Sequence, residues 1–316
     1  MAALALLATA LAPLIDSEQH RLWMLLTYPP RLLLTFAALV CVVVFAFARA
    51  WLPTGIACTA VVVAAVQIGW GAGTRSPEPV DALTLLAFNV KDATRHVRDL
   101  RALVTRERVD VLVLQEVKPP SRQAFIDALP EFEFVWGDET ARFEHDDWGP
   151  FSSMTGFRRG LNWRVTDKST GMTGYRTFAV AAETRAGTAW FVNVHTTKAF
   201  WLQGSPTESI TRADYKSAWH AGEHRLLREW LSHKGEVPVI LAGDFNAPHN
   251  VPNLDFPGMR NAHLEVGSGA HLTFPAKLPV WGIDHVLAND DVTLHSYQIL
   301  APGFSDHRTQ LVRFSL

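Results

Sequence analysis

Six short blocks along the chain each set a residue capable of chemistry at or just past an apolar run. They are Leu85-Leu86-Ala87-Phe88-Asn89-Val90, Val113-Leu114-Gln115-Glu116, Phe191-Val192-Asn193-Val194-His195-Thr196, Leu241-Ala242-Gly243-Asp244-Phe245-Asn246, Gly282-Ile283-Asp284-His285 and Phe304-Ser305-Asp306-His307-Arg308. Hard oxygen ligands and imidazoles delivered this way meet at one rim of a sheet. That set suits a divalent cation and a phosphate. Mg²⁺ prefers oxygen ligands and keeps several waters, so one or two protein carboxylates suffice.

The blocks differ in how much they say alone. Glu116 follows Val111 to Leu114, where a carboxylate emerging from a buried strand is costly unless paired or metal-bound. Asn89 alone reads as a turn former; beside a metal carboxylate its amide can hold that carboxylate or a phosphate. Asp244 and Asn246 follow a glycine that lets backbones approach closely, and their alternation aims both side chains one way, with Phe245 turned into the core. His195 ends a strand, a position more often structural than chemical. Asp306 and His307 are held adjacent in a turn, and Asp284 supplies an orienting carboxylate. A carboxylate on one imidazole nitrogen fixes the tautomer and raises the basicity of the other, as acid–base work requires.

The elements that must position these residues follow from periodicity. Strands are expected at Ala82–Val90, Val109–Leu114, Phe132–Trp136, Met154–Phe157, Ala179–Glu183, Ala189–His195, Val237–Ala242, Val286–Ala288, Leu294–Leu300 and Gln310–Phe314. Helical spacing appears at Ala93–Glu107, Pro120–Leu129 and Ile210–Leu231. Early and mid-chain helices among many strands favour a layered α/β arrangement with mixed sheets over a simple parallel repeat.

The first 70 residues differ in kind. Met1–Ile15, Arg31–Ala50 and Thr54–Trp70 are three apolar runs, and the composition predicts two or three transmembrane helices there. Pro53-Thr54-Gly55 reads as the turn between the second and third runs, and Trp23, Tyr28, Trp51 and Trp70 as interfacial aromatics. Residues 71–79 read as a linker and 80–316 as the catalytic-type domain. Arg49 marks the second turn as cytoplasmic, which places the domain outside the cytoplasm at a cell (inner) membrane, although Arg21 and Arg31 argue the other way. Both cysteines, Cys41 and Cys58, lie in the apolar third, so the rest can hold neither a disulfide framework nor a thiolate metal site. A net charge of −2 offers no bulk field for polyanions.

Together and in this order the six blocks resemble the endonuclease/exonuclease/phosphatase superfamily, over roughly Leu83 to Phe314. The resemblance implies a four-layer sandwich of two mixed β-sheets flanked by helices, as in deoxyribonuclease I, and divalent-metal-dependent phosphoester hydrolysis with Mg²⁺ or Mn²⁺. It implies Glu116 as the principal metal ligand with Asn89 beside it, and Asp306 as a carboxylate of the metal region or an orienter of its neighbour. It implies His307, paired with Asp284, as the group that activates water, with Asp244 as the alternative base. Asn246 would orient water or phosphate, and His195 would contact the phosphate. Gly149 to Arg159 departs from the family's Gly-containing strand with a Ser-Arg pair, and the Tyr and Arg that abasic-site endonucleases set against DNA have no clear counterpart.

Three substrate readings follow. A membrane-tethered phosphodiesterase would act on a phospholipid head group or another phosphoester at the lipid bilayer, with Lys198-Ala199-Phe200-Trp201-Leu202 dipping into the interface. A nuclease would act on nucleotides or nucleic acid. A non-catalytic binding module would keep only the fold.

Overall fold

The computed structural model describes residues 1–12, 28–73, 77–137, 152–161, 163–169, 176–198, 206–251 and 254–316. Its strands are β1 (Trp70–Ala72), β2 (Leu83–Asn89), β3 (Val111–Val117), β4 (Phe132–Trp136), β5 (Ser152–Arg158), β6 (Arg164–Ser169), β7 (Phe178–Thr184), β8 (Gly187–His195), β9 (Val239–Asp244), β10 (Met259–Asn261), β11 (Ser268–Ala270), β12 (Asp284–Asn289), β13 (Thr293–Leu300) and β14 (Thr309–Ser315). The helices are α1 (Ala2–Leu11), α2 (Arg31–Phe47), α3 (Trp51–Val66), α4 (Val97–Arg106), α5 (Arg122–Ala128), α6 (Pro206–Ser232) and α7 (Ala262–Val266).

Two six-stranded mixed sheets form the centre, in the orders β13-β14-β2-β3-β5-β4 and β10-β12-β9-β8-β7-β6. Only β2–β3 and β8–β9 pair in parallel within them. Alternation builds the layers. Leu85 and Ala87 of β2 face inward to pack with Phe178, Phe191, Ile240, Val286 and Phe314, the core between the sheets. Leu86 and Phe88 face outward, where Leu100, Leu103 and Val104 of α4 and Phe125 of α5 cover them. On the other side Leu227 of α6 packs on Trp190, Val192 and Leu241. Both faces of the central strands are therefore buried, which explains their unbroken apolar runs. Each such Leu or Phe contributes about 1.5–3 kcal/mol on burial.

The N-terminal helices form an apolar bundle. Ala10, Leu34 and Ala64 pack together, and Arg31 and Gln67 donate to the carbonyls of Thr9 and Ala10. The helices are shorter than the apolar runs. α2 has 17 residues and α3 has 16, and among the described residues no helix is long and apolar enough to cross a membrane. This corrects the expectation of transmembrane helices. The turn is also displaced, to Ala48–Ala50, with Arg49 at φ 53°. Pro53 instead lies in the first turn of α3, where a missing N–H costs no helical bond.

Trp70–Ala72, at the start of the linker-like stretch, pairs antiparallel with β11. Trp281 donates its indole N–H to the Tyr28 carbonyl at 2.9 Å, and the His271 backbone N–H donates to Gly69. The bundle is thus stitched to the domain beside the strand ends of the second sheet.

Candidate active site

The register brings the key residues level. His195 pairs with Asp244, and Asp244 with Asp284, so the residues that end β8 and β9 and the residue that opens β12 stand side by side. Facing them from the first sheet, Asn89 pairs with Gln115, one residue before Glu116. Gly243 permits the closeness. Its φ is 138°, and a Cβ there would lie 2.1 Å from the Val194 carbonyl oxygen.

Glu116 lies inside its strand rather than past it. The register of β3 against β5 shifts between Leu114 and Val117, and Glu116 adopts φ 56°. A bulge of this kind re-aims a side chain, and a non-glycine residue at positive φ costs about 1–3 kcal/mol. The re-aimed carboxylate meets the second sheet.

Asn89 is the bridge. Its Nδ2 donates to Glu116 Oε1 at 3.1 Å and to Asp244 Oδ2 at 3.0 Å. His195 Nε2 lies 3.7 Å from Glu116 Oε1. His307 Nδ1 donates to Asp284 at 2.9 Å and 3.0 Å from its two oxygens, and His307 Nε2 points at Asp244 Oδ2 from 3.8 Å. Phe274 walls this pair, its ring 4.8 Å from that of His307.

The surroundings set the charges. Burial would push His307 down, but the carboxylates of Asp284, Asp244 and Asp306 prevail and raise it to about 9. Burial raises Asp244 to about 7, with His307 opposing and Asp284 reinforcing the rise. His195 is pushed well below its ordinary range by burial and then by Arg176, Lys198 and His307. At neutral pH His307 holds its proton, His195 is neutral, and Asp244 exchanges a proton readily.

Six of the expected residues therefore converge: Asn89, Glu116, His195, Asp244, Asp284 and His307. The other two stand differently. Asn246 donates its backbone N–H to Asp244 Oδ1 and its Nδ2 to the Thr196 carbonyl, so its amide N–H braces the loop after β8. Asp306 sits at the rim, ion-paired with Lys91. Of the interfacial segment expected at 198–202, residues 199–202 lie outside the described residues.

Sequence reasoning missed the supports. Gln115 Nε2 donates to Asn193 Oδ1 at 2.8 Å, and Asn193 Nδ2 donates to the Met154 carbonyl at 2.9 Å, tying the sheets together beneath the site. Ser305 Oγ donates to the Asn89 carbonyl, fixing the Asp306–His307 turn. Amides inside apolar strands were the available signal, since a buried amide needs partners.

The donor set fits a divalent cation. Ligand atoms of Glu116, His195 and Asp244 lie within 4.8 Å of one another, as do those of Asp244, Asp284 and His307. Glu116 and Asp244 offer hard oxygen and His195 Nε2 faces Glu116, while Asn89, expected among the ligands, turns its Nδ2 to both carboxylates and its Oδ1 to the Lys91 N–H, so it braces the ligands instead.

Two mixed sheets with carboxylates and imidazoles gathered at their strand ends define an α/β sandwich with a candidate metal centre. The sequence matches the Endonuclease/Exonuclease/phosphatase family over residues 86–307, and the chain belongs to that family. None of the curated proteins matches it. Solved structures share the fold. An endonuclease/exonuclease/phosphatase from Bacteroides vulgatus aligns with TM-score 0.55 at 19% identity, covering 74% of this chain and 99% of its own. A mannosyl-6-phosphatase from Bacteroides thetaiotaomicron aligns with TM-score 0.57 at 16% identity, covering 74% and 100%. D. rerio TDP2 complexed with a single-strand DNA product aligns with TM-score 0.56 at 16% identity, covering 75% and 100%.

Proposed function

We propose that the chain is a divalent-metal-dependent hydrolase of phosphoester bonds, held at a lipid bilayer by its N-terminal helices. One observation carries the reading: Asn89 donates at once to Glu116 and Asp244, and Asp244 in turn faces a His307 clamped by Asp284. Mg²⁺ or Mn²⁺ held by Glu116 beside Asn89 would polarise a phosphate oxygen as a Lewis acid. The remaining work belongs to side chains. Asp244, raised to about 7, takes the proton of the attacking water. His307, held protonated by Asp284, offers its Nε2–H to charge developing on the phosphoryl or leaving oxygen. Neutral His195 lends a further polar nitrogen. A binding module has no use for this imidazolium–carboxylate arrangement.

The tether rests on exposed apolar surface. Phe36, Val40, Val44 and Phe47 of α2 and Trp51, Leu52, Val62 and Val66 of α3 are all exposed, a contiguous kind of surface that marks contact with lipid or protein. Seventeen residues of helix reach about 25 Å at about 1.5 Å per residue. The hydrocarbon core measures about 30 Å, so the hairpin enters it without crossing. Arg49 at its tip would then approach the far head groups. An Arg49 turned toward the cytoplasmic head groups is the ground for reading the domain as extracytoplasmic at the inner membrane.

A membrane phosphoester, such as a phospholipid head group, is the substrate class this placement favours. A net charge of −2 speaks against long nucleic acids, which basic surfaces attract.

Hydrolysis of bis-p-nitrophenyl phosphate tests the core of the proposal. Activity should require Mg²⁺ or Mn²⁺, vanish in EDTA and fall at least about 100-fold in Glu116→Ala and in His307→Ala. Undiminished turnover in either variant overturns the site. A panel of sphingomyelin, phosphatidylinositol, nucleotides and plasmid DNA sorts the substrates. Vesicle flotation tests the tether, and a topology reporter after Leu316 tests sidedness.

A further inference from the structure

Asp306 was expected as a carboxylate of the metal region or an orienter of its neighbour, and it belongs to neither group of clustered ligand atoms. Its Oδ2 is taken by the ammonium of Lys91 at 2.5 Å. Its Oδ1 is buried without a hydrogen-bond partner. Lys91 is placed for this. Its backbone N–H donates to Asn89 Oδ1 at 3.1 Å, and its φ of 45° turns the chain sharply after β2. On the other side Ser305 ties the Asp306 turn back to the Asn89 carbonyl. Two loops joined at Asn89 therefore hold an ammonium against a carboxylate at the rim of the site.

Four carboxylates serve this centre: Glu116, Asp244, Asp284 and Asp306. His307 engages Asp284 through two short contacts, and Lys91 engages Asp306. Glu116 and Asp244 remain, facing each other across the neutral Asn89 amide. Asp244 is the base of the reading above, so Glu116 is the carboxylate of these four left to bind a divalent ion, and one or two carboxylates suffice for such an ion. A second ion at Asp306 would have to displace the ammonium and share one carboxylate, a poor site for a cation that needs several oxygens.

We propose that Lys91 is a built-in cation that occupies the place of a second metal at Asp306, so that the site holds one divalent ion, at Glu116. This rests on the metal-dependent reading above and deepens it by fixing the stoichiometry. Lys91 then supplies, at the rim of the site, a positive charge that a second metal would otherwise bring to the phosphate.

The test is Mn²⁺ binding to the EDTA-treated full chain in detergent, by equilibrium dialysis and electron paramagnetic resonance. Wild type should take up one Mn²⁺ with an uncoupled signal. Lys91→Asp removes the ammonium and adds a ligand, and Asp tolerates the positive φ. The Lys91 side chain is 59% exposed, so the fold should survive, which circular dichroism verifies. This variant should bind two Mn²⁺, with a spin-coupled component, and Lys91→Arg should bind one. Two tight ions in wild type, or one in Lys91→Asp, overturns the proposal. No binding by wild type at millimolar Mn²⁺ instead removes the metal reading beneath it.

Discussion

Gln115 of the first sheet donates to Asn193 of the second at 2.8 Å, one residue from the bulged Glu116. Both side chains are fully buried. The contact joins the sheets where the site needs them closest. Asn193→Ala would strip Gln115 Nε2 and the carbonyls of Leu114 and Met154 of a partner each. An unsatisfied buried group costs about 1–3 kcal/mol, so urea denaturation should show a loss of at least that size. Activity should fall as well, because Glu116 loses its footing. Wild-type stability in this variant would mean that the sheets are held by apolar packing alone.

The Asp284–His307 contact predicts a pH profile. His307 is raised to about 9 by its carboxylate neighbours, so the protonated form required for catalysis is present below that pH and lost above it. Asp284→Asn removes the nearest of these charges, and burial then pushes the imidazole down. The alkaline limb of kcat/KM should move down by about 1–3 pH units, the span of a close opposite charge. An unmoved limb assigns the ionisation to another group. The same shift bears on folding: the stability due to His307 is complete below its unfolded value of 6.5 and is lost as pH rises through 9.

Gly243 carries a sharper structural prediction. A side chain at φ 138° is strained, and its Cβ would strike the Val194 carbonyl at 2.1 Å and Gln115 Nε2 at 2.8 Å. Neither the parallel β8 backbone nor the buried amide can yield cheaply. Gly243→Ala should destabilise the protein by about 2–4 kcal/mol or more and part His195 from Asp244. Thermal denaturation with an activity assay reads both effects.

What was legible in the sequence follows from this geometry. Asn89, Glu116, Asp244 and His307 stood out because each breaks or ends an apolar run, a local signal. Gln115 and Asn193 did not, because their pairing spans 78 positions and depends on a register between sheets that no local pattern encodes. Strand β6 was missed because its residues are mostly exposed, at a sheet edge, with no apolar alternation to read. The hairpin turn was misplaced because Pro53 and Gly55 look like punctuation, while Pro is at home in a first helical turn. Lys91 drew no notice in the sequence, because its partner Asp306 lies 215 positions away.

The buried histidines make the fold acid-labile. His220 Nε2 donates to the Phe245 carbonyl at 3.0 Å and His285 Nε2 to that of Ala247 at 2.8 Å. Burial lowers both from 6.5 to about 4, the backbone bonds opposing only in part. Their unfolded forms take up protons below pH 6.5 while the folded forms resist until about 4, so stability is lost across that window, by about 3 kcal/mol each. Asp244 and Glu223, raised by burial to about 7, act in the opposite sense as pH falls. They are outnumbered, since His195, His249, His263 and His271 are lowered too, again by burial first. Domains are stable by only about 5–15 kcal/mol, so unfolding should set in between pH 6.5 and 4, followed by circular dichroism. His220→Gln keeps a donor for Phe245 and removes the titration, and its acid midpoint should fall. A midpoint unchanged in that variant would show that His220 is protonated in the folded chain without cost.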